Sequence, residues 1–111
     1  MEAFDVLGDP VRRRILELLA ERERSAGEVV EIVHAEFGLT QPAVSRQLRI
    51  LRESGFAGVR AEGTRRMYAL QETGLRDVEV WLAGLRRQWD QRLDALATEL
   101  ARGRRARRTQ S

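Results

Sequence analysis

Three helix-start signals, at residues 9, 25 and 40, divide the first half of the chain and limit the folds open to it. Asp9 is an N-cap oxygen acceptor, and Pro10 suits the first position of a helix. The residues SAGE, from Ser25, form a capping box, and Thr40 can cap the segment after it. Each signal precedes an apolar stripe of helical spacing, and Arg12 lies outside the first of these stripes. The sequence therefore predicts three successive helices, the third over about residues 41–53.

A short helix, a hairpin and a long helix complete the prediction. Phe4 and Leu7 indicate a short first helix that breaks at Gly8. The runs FAGVRA and RRMYAL are strand-like and flank a turn at Gly63, which predicts a hairpin. Over residues 74–101, apolar residues recur at steps of three and four, which indicates one long helix. The predicted fold class is mainly α with a small two-stranded β-hairpin.

The third helix has two chemically different sides. Its apolar side, Val44, Leu48 and Leu51, would pack on the capped helix before it. Its outer side carries Gln41, Ser45, Arg46 and Arg49. An α-helix fits the major groove of DNA, where Gln can pair with adenine and Arg with guanine. Solvated Arg faces are common on amphipathic helices, so this interpretation depends on the neighbouring elements as well.

The hairpin supplies the second basic feature. Arg65 and Arg66 lie at or beside its tip, where they could reach phosphates or the minor groove. Arg52 and Arg60 are weaker candidates of the same kind. A helix pair, a turn, a polar-faced helix and an Arg-tipped hairpin follow one another in the order of a winged helix-turn-helix.

Charge is distributed unevenly along the chain. Residues 40–70 hold six arginines and two acidic residues, and residues 102–111 hold five arginines and no acid, whereas residues 1–39 are acidic. A polyanion would meet two basic patches on an otherwise acidic body, which favours nucleic acid as the partner. We expect residues 1–101 to form one domain and residues 102–111 a disordered tail. A secondary hypothesis is that this tail adds phosphate contacts that do not depend on DNA sequence.

Composition also excludes several functions. The chain has no cysteine, no lysine and one histidine, so disulfides, thiolate metal sites and cysteine nucleophiles are impossible. No carboxylate pair or phosphate loop suggests catalysis, so we expect neither an enzyme nor a cofactor. The sequence lacks a long apolar run and a signal-peptide pattern, which predicts a cytoplasmic protein without a membrane partner.

These motifs resemble the ArsR (arsenical-resistance repressor) group of bacterial winged helix-turn-helix regulators. The segments LGDPVRRRILELL, SAGEVVEIV, LTQPAVSRQLRILRESGF and VRAEGTRRMYAL carry the resemblance over about residues 4–70. It implies a homodimeric transcription factor, usually a repressor, that binds double-stranded DNA at a pseudo-palindromic operator. The candidate DNA-binding residues are Thr40, Gln41, Ser45, Arg46, Arg49, Arg65 and Arg66.

Two departures from the family pattern bear on mechanism. The segment EVVEIVHAEFGLT is about one helical turn longer than usual before the third helix, which affects the tilt expected for that helix. Many relatives bind metal through cysteines or through paired histidines and carboxylates on the last helix, and this sequence has neither set. We therefore expect no metal site, with His34 as ordinary helix surface.

The long helix predicts a dimer. Residues 74–101 would span about 40 Å, more than the roughly 34 Å width of a compact domain of this length, so part of the apolar stripe needs cover from a second copy. We expect Trp81 and Trp89 to pack in the core or in the dimer interface and not to line an effector pocket. A small-molecule effector, if one exists, would bind beside this seam. The candidate interface residues are Phe4, Leu7, Leu82, Leu85, Trp89, Leu93 and Leu96.

Two binding alternatives stay open. A winged helix can serve as a protein-interaction module, but that use favours apolar or mixed residues on the outer face of the third helix. RNA readers rely on exposed aromatic residues for stacking, and the chain has only six aromatic residues, mostly at apolar-stripe positions.

Overall fold

Five helices and three strands make up residues 2–110, the part of the chain that this computed structural model describes, with side chains described through residue 107. The helices α1 to α5 span Ala3–Leu7, Pro10–Glu21, Ala26–Phe37, Gln41–Glu53 and Glu72–Gln110. The strands β1 to β3 span Arg24–Ser25, Ala57–Glu62 and Arg65–Leu70. The predicted winged helix-turn-helix fold, mainly α with a β-hairpin, is confirmed.

The predicted helix starts are confirmed by their hydrogen bonds. The carboxylate of Asp9 accepts from the backbone N–H of Val11 at 2.7 Å. The capping box is complete, with the Ser25 hydroxyl and the Glu28 carboxylate each bonded to the other residue's backbone N–H. Gly38 ends α3 in the left-handed conformation, φ 72°, which glycine adopts without steric cost.

The sheet has one strand more than predicted. The hairpin β2–β3 turns at Gly63 and Thr64, and Gly63 supplies the positive φ, 61°, that a two-residue hairpin turn needs. Strand β1 pairs antiparallel with β3 on its other side, with Arg24 opposite Tyr68. A two-residue strand has no period to detect, and its existence depends on a partner more than forty positions away. The sheet order is therefore β1-β3-β2.

The core lies between the first four helices and the sheet. Val44, Leu48 and Leu51 of α4 are at most 1% exposed and share one apolar cluster with Val29 and Val33 of α3. The predicted anchoring of α4 on α3 is therefore confirmed. This packing fixes which side of α4 remains outside.

Arg12 was predicted to lie on the outer side of α2, but the structure buries it to 9% exposure. Its guanidinium donates to the carbonyls of Val6 and Asp5 at the end of α1, at 2.9 and 3.0 Å, and to Oε1 of Gln47 in α4 at 2.9 Å. Arg24 is likewise buried and donates to the carbonyl of Leu18. A long Arg stem can be buried when its head meets carbonyl oxygens, and sequence periodicity does not reveal those acceptors.

Helix α5 extends beyond the predicted limits. It continues through Gln110, over the segment expected to be a disordered tail. Ala and Arg are good helix formers, and no proline interrupts this segment. The chain divides into two compact units after Val78, and residues 79–107 of the second unit leave Trp81 and Trp89 about half exposed.

Candidate nucleic-acid interface

Helix α4 presents its polar side to solvent. Thr40 caps the helix by accepting from the backbone N–H of Ala43 at 3.4 Å, and Pro42 occupies the first turn, where no intrahelical donor is needed. Because the apolar stripe is buried, the positions opposite it on α4 face outward. The candidate DNA-binding residues of the cap and helix are all exposed: Thr40, Gln41, Ser45, Arg46 and Arg49.

A groove of about 460 Å³ runs between α4 and β3. It brings Arg46 and Arg49 of α4 together with Arg66 of the hairpin, and it adds Arg52, which the sequence marked as a weaker candidate. Its lining residues are Ala26, Pro42, Ser45, Arg46, Leu48, Arg49, Arg52, Arg66 and Tyr68. Four arginines thus border one concave surface.

The arginines of this groove carry uncompensated charge. Among the described residues, Arg46, Arg49, Arg52 and Arg66 form no ion pair and no side-chain hydrogen bond, although arginines elsewhere are engaged. On the α2–α3 side, for example, Arg14 pairs with Glu36 at 2.8 Å. Unpaired cations on one concave surface attract a polyanion more strongly than ion-paired cations do.

Shifted pKa values occur at arginines and carboxylates that form ion pairs outside the groove. The hydrogen bond from Arg14 lowers the pKa of the Glu36 carboxyl, and the same contact raises the pKa of Arg14. Arg60, the other weaker candidate, donates to Glu23 at 2.8 Å and lies 3.3 Å from Glu62. Its hydrogen bond lowers the pKa of the Glu23 carboxyl. Arg60 is therefore held by carboxylates, whereas Arg52 lies in the groove.

The hairpin tip borders a second concavity. This depression of about 350 Å³ joins the tip to the first residues of α3. It is lined by Ser25, Ala26, Gly27, Thr64, Arg65 and Arg66. Arg66 therefore borders both concavities, and Arg65 borders only the second. Both side chains are exposed and, within the described residues, neither forms an ion pair.

Sequence reasoning missed the residue that ties α4 to the first two helices. Gln47 lies between the buried and the exposed sides of α4, and its amide oxygen accepts from Arg12. Arg12, which lies in α2, also donates to two backbone carbonyls of α1. One guanidinium therefore links α1, α2 and α4. A polar residue beside an apolar stripe gives no local signal for such a bond, because its partner is 35 positions away.

His34 has a structural contact. Its Nδ1 donates to the carbonyl of Leu39 at 2.8 Å, across the turn between α3 and α4. In the described part of the chain, no three histidine, aspartate or glutamate side chains are grouped so that they could hold a metal ion. Over the same residues, no helix is long and apolar enough to cross a membrane.

A helix pair on a small sheet, with a basic-faced third helix beside an Arg-tipped hairpin, defines the class of winged helix-turn-helix DNA-binding regulators. Residues 9–58 match the family described as "Bacterial regulatory protein, arsR family". The chain belongs to this family of transcriptional regulators.

Curated relatives are described as transcriptional regulators. An uncharacterised HTH-type transcriptional regulator of Mycobacterium tuberculosis, Rv0081, is 41% identical over 69 residues, which cover 62% of this chain and 58% of that protein. The chain thus spans less than two thirds of that relative's length. The transcriptional repressor SdpR of Bacillus subtilis is 32% identical over 79 residues, which cover 71% of this chain and 83% of SdpR.

Solved structures agree on the fold. A crystal structure of an ArsR family transcriptional regulator aligns with a TM-score of 0.69 and 26% identity, over 79% of this chain and 87% of that one. A solution structure from Mycobacterium bovis, described as a homodimeric winged helix-turn-helix DNA-binding domain, aligns with a TM-score of 0.56 and 27% identity. That alignment covers 82% of this chain and 78% of the other.

Proposed function

We propose that this chain is a sequence-specific transcriptional repressor that binds double-stranded DNA as a homodimer at an inverted-repeat operator. The observation that carries the proposal is the groove in which the unpaired Arg46, Arg49, Arg52 and Arg66 lie together. Base discrimination comes from α4, since only its outer side chains can enter a major groove.

Each residue then has a distinct task. Arg46 and Arg49 donate two parallel hydrogen bonds to guanine, and Gln41 pairs with adenine, each pair contributing about 1–3 kcal/mol of discrimination. Thr40 and Ser45 bond to phosphates or base edges nearby. Arg65 and Arg66, with Arg52, contact phosphates and fix the register of the helix without reading sequence.

Two identical reading helices require a dimer. A two-fold axis that relates them would place them in successive major grooves about 34–36 Å apart, which makes the operator an inverted repeat. The homodimeric state of the M. bovis relative supports this assembly. The proposed seam consists of Phe4, Leu7, Leu82, Leu85, Trp89, Leu93 and Leu96.

Repression, as opposed to activation, is proposed because the relative SdpR is a transcriptional repressor. The proposed mechanism involves no metal ion. The chain has no cysteine and one histidine, and that histidine is bonded to a carbonyl, so the thiolate and histidine ligand sets of the family cannot form. No cofactor is required. If a small-molecule effector releases DNA, the dimer seam is the place where it would act.

The test is a gel shift with the DNA upstream of the protein's own gene, challenged by unlabelled specific and random duplexes. We expect the specific duplex to compete at a concentration at least a thousandfold lower, in the range of ordinary regulators. Equal competition by the two duplexes would rule out sequence-specific binding. Absence of any shift, together with no retention on heparin, would favour the protein-interaction module instead.

A further inference from the structure

A single polar contact fixes α4 to the elements packed against it. Within the described residues, the bond from Nη1 of Arg12 to Oε1 of Gln47, at 2.9 Å, is the only side-chain hydrogen bond that joins α4 to another element. The buried side of the helix is otherwise apolar, with Val44, Leu48 and Leu51. Apolar burial is not directional, whereas a hydrogen bond is. The bond to Arg12 therefore limits how far α4 can rotate about its own axis.

The donor of this bond is itself held in place. Arg12 is 9% exposed, and its Nε and Nη2 donate to the carbonyls of Val6 and Asp5 at 2.9 and 3.0 Å. Its Nη1 also lies 3.6 Å from the Asp9 carboxylate. The donors of a guanidinium form a rigid planar fork, so the two bonds to α1 fix the direction in which Nη1 points. Gln47 is thus bonded to a group that has little freedom to move.

Gln47 lies on the flank of α4 that is turned away from the groove. It is two positions from Ser45 and two from Arg49, and such positions lie roughly 160° apart around a helix of 3.6 residues per turn. Ser45 and Arg49 line the groove, and Gln47 does not. Its side chain is half-buried and contacts the fold through Arg12. This placement suits a residue that orients the helix.

We propose that Gln47 is a positioning residue for DNA recognition, because its bond to Arg12 sets the rotation of α4 at which Arg46 and Arg49 meet base edges. This inference rests on the proposed function and deepens it. A helix with its side chains has a radius of about 5–6 Å, so a rotation of about 15° moves the outer groups by about 1.5 Å. Hydrogen bonds weaken steeply beyond about 3.2 Å, and a bidentate pairing with guanine is lost after such a shift.

Two other roles for Gln47 make different predictions. If the bond only stabilised the fold, its loss would lower the free energy of unfolding and leave the folded protein equally selective. If Gln47 itself read a base, the buried Arg12 would have no part in selectivity. Variants at both ends of the bond therefore separate the three roles.

The first test compares two variants of Gln47 at a temperature at which circular dichroism shows that both are folded. Gln47→Met keeps the length of the side chain and removes the acceptor. We expect its preference for operator over random duplex to fall at least about tenfold, the effect of losing one pairing with guanine. Gln47→Glu keeps an acceptor for the guanidinium and should retain the preference, although its charge should weaken binding to both duplexes alike. An undiminished preference in Gln47→Met, measured by competition gel shifts, would overturn the proposal.

Leu18→Ala controls for lost stability. Leu18 is 3% exposed but is not a member of the apolar cluster that contains the buried side of α4. Its truncation removes buried contacts and should lower the midpoint of urea unfolding at least as far as Gln47→Met does. The folded Leu18→Ala protein should nevertheless keep the full preference for the operator. An equal loss of preference in this control would show that lowered stability is the cause, which contradicts the proposal.

Arg12→Met distinguishes positioning from direct reading. Direct reading by Gln47 predicts an unchanged preference in Arg12→Met, because the buried guanidinium does not reach DNA. The proposal predicts a loss at least as large as in Gln47→Met, with no further loss when the two changes are combined, since both remove the same bond. Additive losses, or a full preference in Arg12→Met, would overturn it. If Arg12→Met is too unstable to purify, the two Gln47 variants and the Leu18→Ala control decide the matter.

The unmodified chain separates this inference from the proposed function. If it shows no preference for the operator, the proposed function fails, and the inference fails with it. If it shows a preference that persists in Gln47→Met, only the positioning role is contradicted.

Discussion

At the residue scale, the ion pairing of each arginine depends on its neighbours in the fold more than on its position in the sequence. Arg49 and Arg60 are both exposed, yet only Arg60 is held by carboxylates, Glu23 and Glu62. An unpaired guanidinium can bind a base or phosphate without first breaking an ion pair, whereas Arg60 must give up two. This difference separates proposed readers from structural arginines.

Replacing Arg46 or Arg49 by Ala should remove most of the preference for the operator. Each protomer of the dimer loses one bidentate pairing with guanine, at about 1–3 kcal/mol each, so specific binding should weaken by about 2–6 kcal/mol while binding to random duplex stays nearly unchanged. Competition gel shifts measure both affinities, and sedimentation checks that the dimer persists. Arg60→Ala is the matched control, with little change expected. Undiminished selectivity in both reader variants would exclude them as the sequence-reading groups.

Arg12→Met should destabilise the fold although it keeps an apolar stem. The change leaves the carbonyls of Val6 and Asp5 and the amide of Gln47 without their buried donor, at a cost of about 2–3 kcal/mol. Urea unfolding followed by circular dichroism measures it. Arg14→Met, at a more exposed arginine paired with Glu36, should cost clearly less. Equal losses of stability would mean that the Arg12 bonds add nothing specific.

At the element scale, the start of α5 depends on a glycine. A Cβ at Gly74 would lie 2.6 Å from the Phe56 ring, far inside van der Waals contact. Phe56 is fully buried, so the ring has no free space to enter. The backbone N–H of Gly74 also donates to the carbonyl of Gly55 at 2.8 Å. Close approach of backbone and ring therefore joins the start of α5 to the segment between α4 and β2.

Gly74→Ala should accordingly destabilise the protein even though alanine is the better helix former. Overpacking of this kind costs about 1–3 kcal/mol. Gly84→Ala in the same helix is the control, because its Cβ would meet nothing closer than an arginine head at 3.8 Å, and it should be neutral or stabilising. Thermal unfolding compares the two. A Gly74→Ala protein as stable as the original would contradict the packing described here.

Local signals explain why most elements could be predicted. A cap such as Ser25 with Glu28 depends on residues only a few positions apart, and so does the apolar period of α4. Both can therefore be recognised in the local sequence. Strand β1 and the burial of Arg12 depend on partners far along the chain, and no short pattern announces them. The exposed face of α4 was predicted because it is the complement of a buried stripe. That Arg52 lines the groove could not be predicted, because the groove forms only where β3 packs beside α4.

At the scale of the whole molecule, basicity is divided between the groove and the end of α5. Residues 102–111 contain five arginines and no acid, and α5 continues over them through Gln110. We expect this segment to bind phosphates without regard to sequence. Such binding releases counterions and makes affinity depend more steeply on salt.

Deleting residues 102–111 should therefore weaken binding to operator and random duplex alike. The slope of log affinity against log salt should fall by about 0.9 for each phosphate that the segment neutralises in the intact chain. Titrations at several salt concentrations measure it, and a full-length chain with glutamine at the five arginines separates the effect of charge from the effect of length. An unchanged slope in both variants would show that the segment does not bind DNA.

The central claim, that a pair of α4 helices reads two half-sites, is tested most directly by selecting fragments of the source genome with the purified protein. We predict enrichment of an inverted repeat whose half-sites are about 10 base pairs apart, centre to centre, or a multiple of that spacing. Enrichment of a single unrepeated site, or recovery of genomic fragments no better than random duplex, would contradict the account.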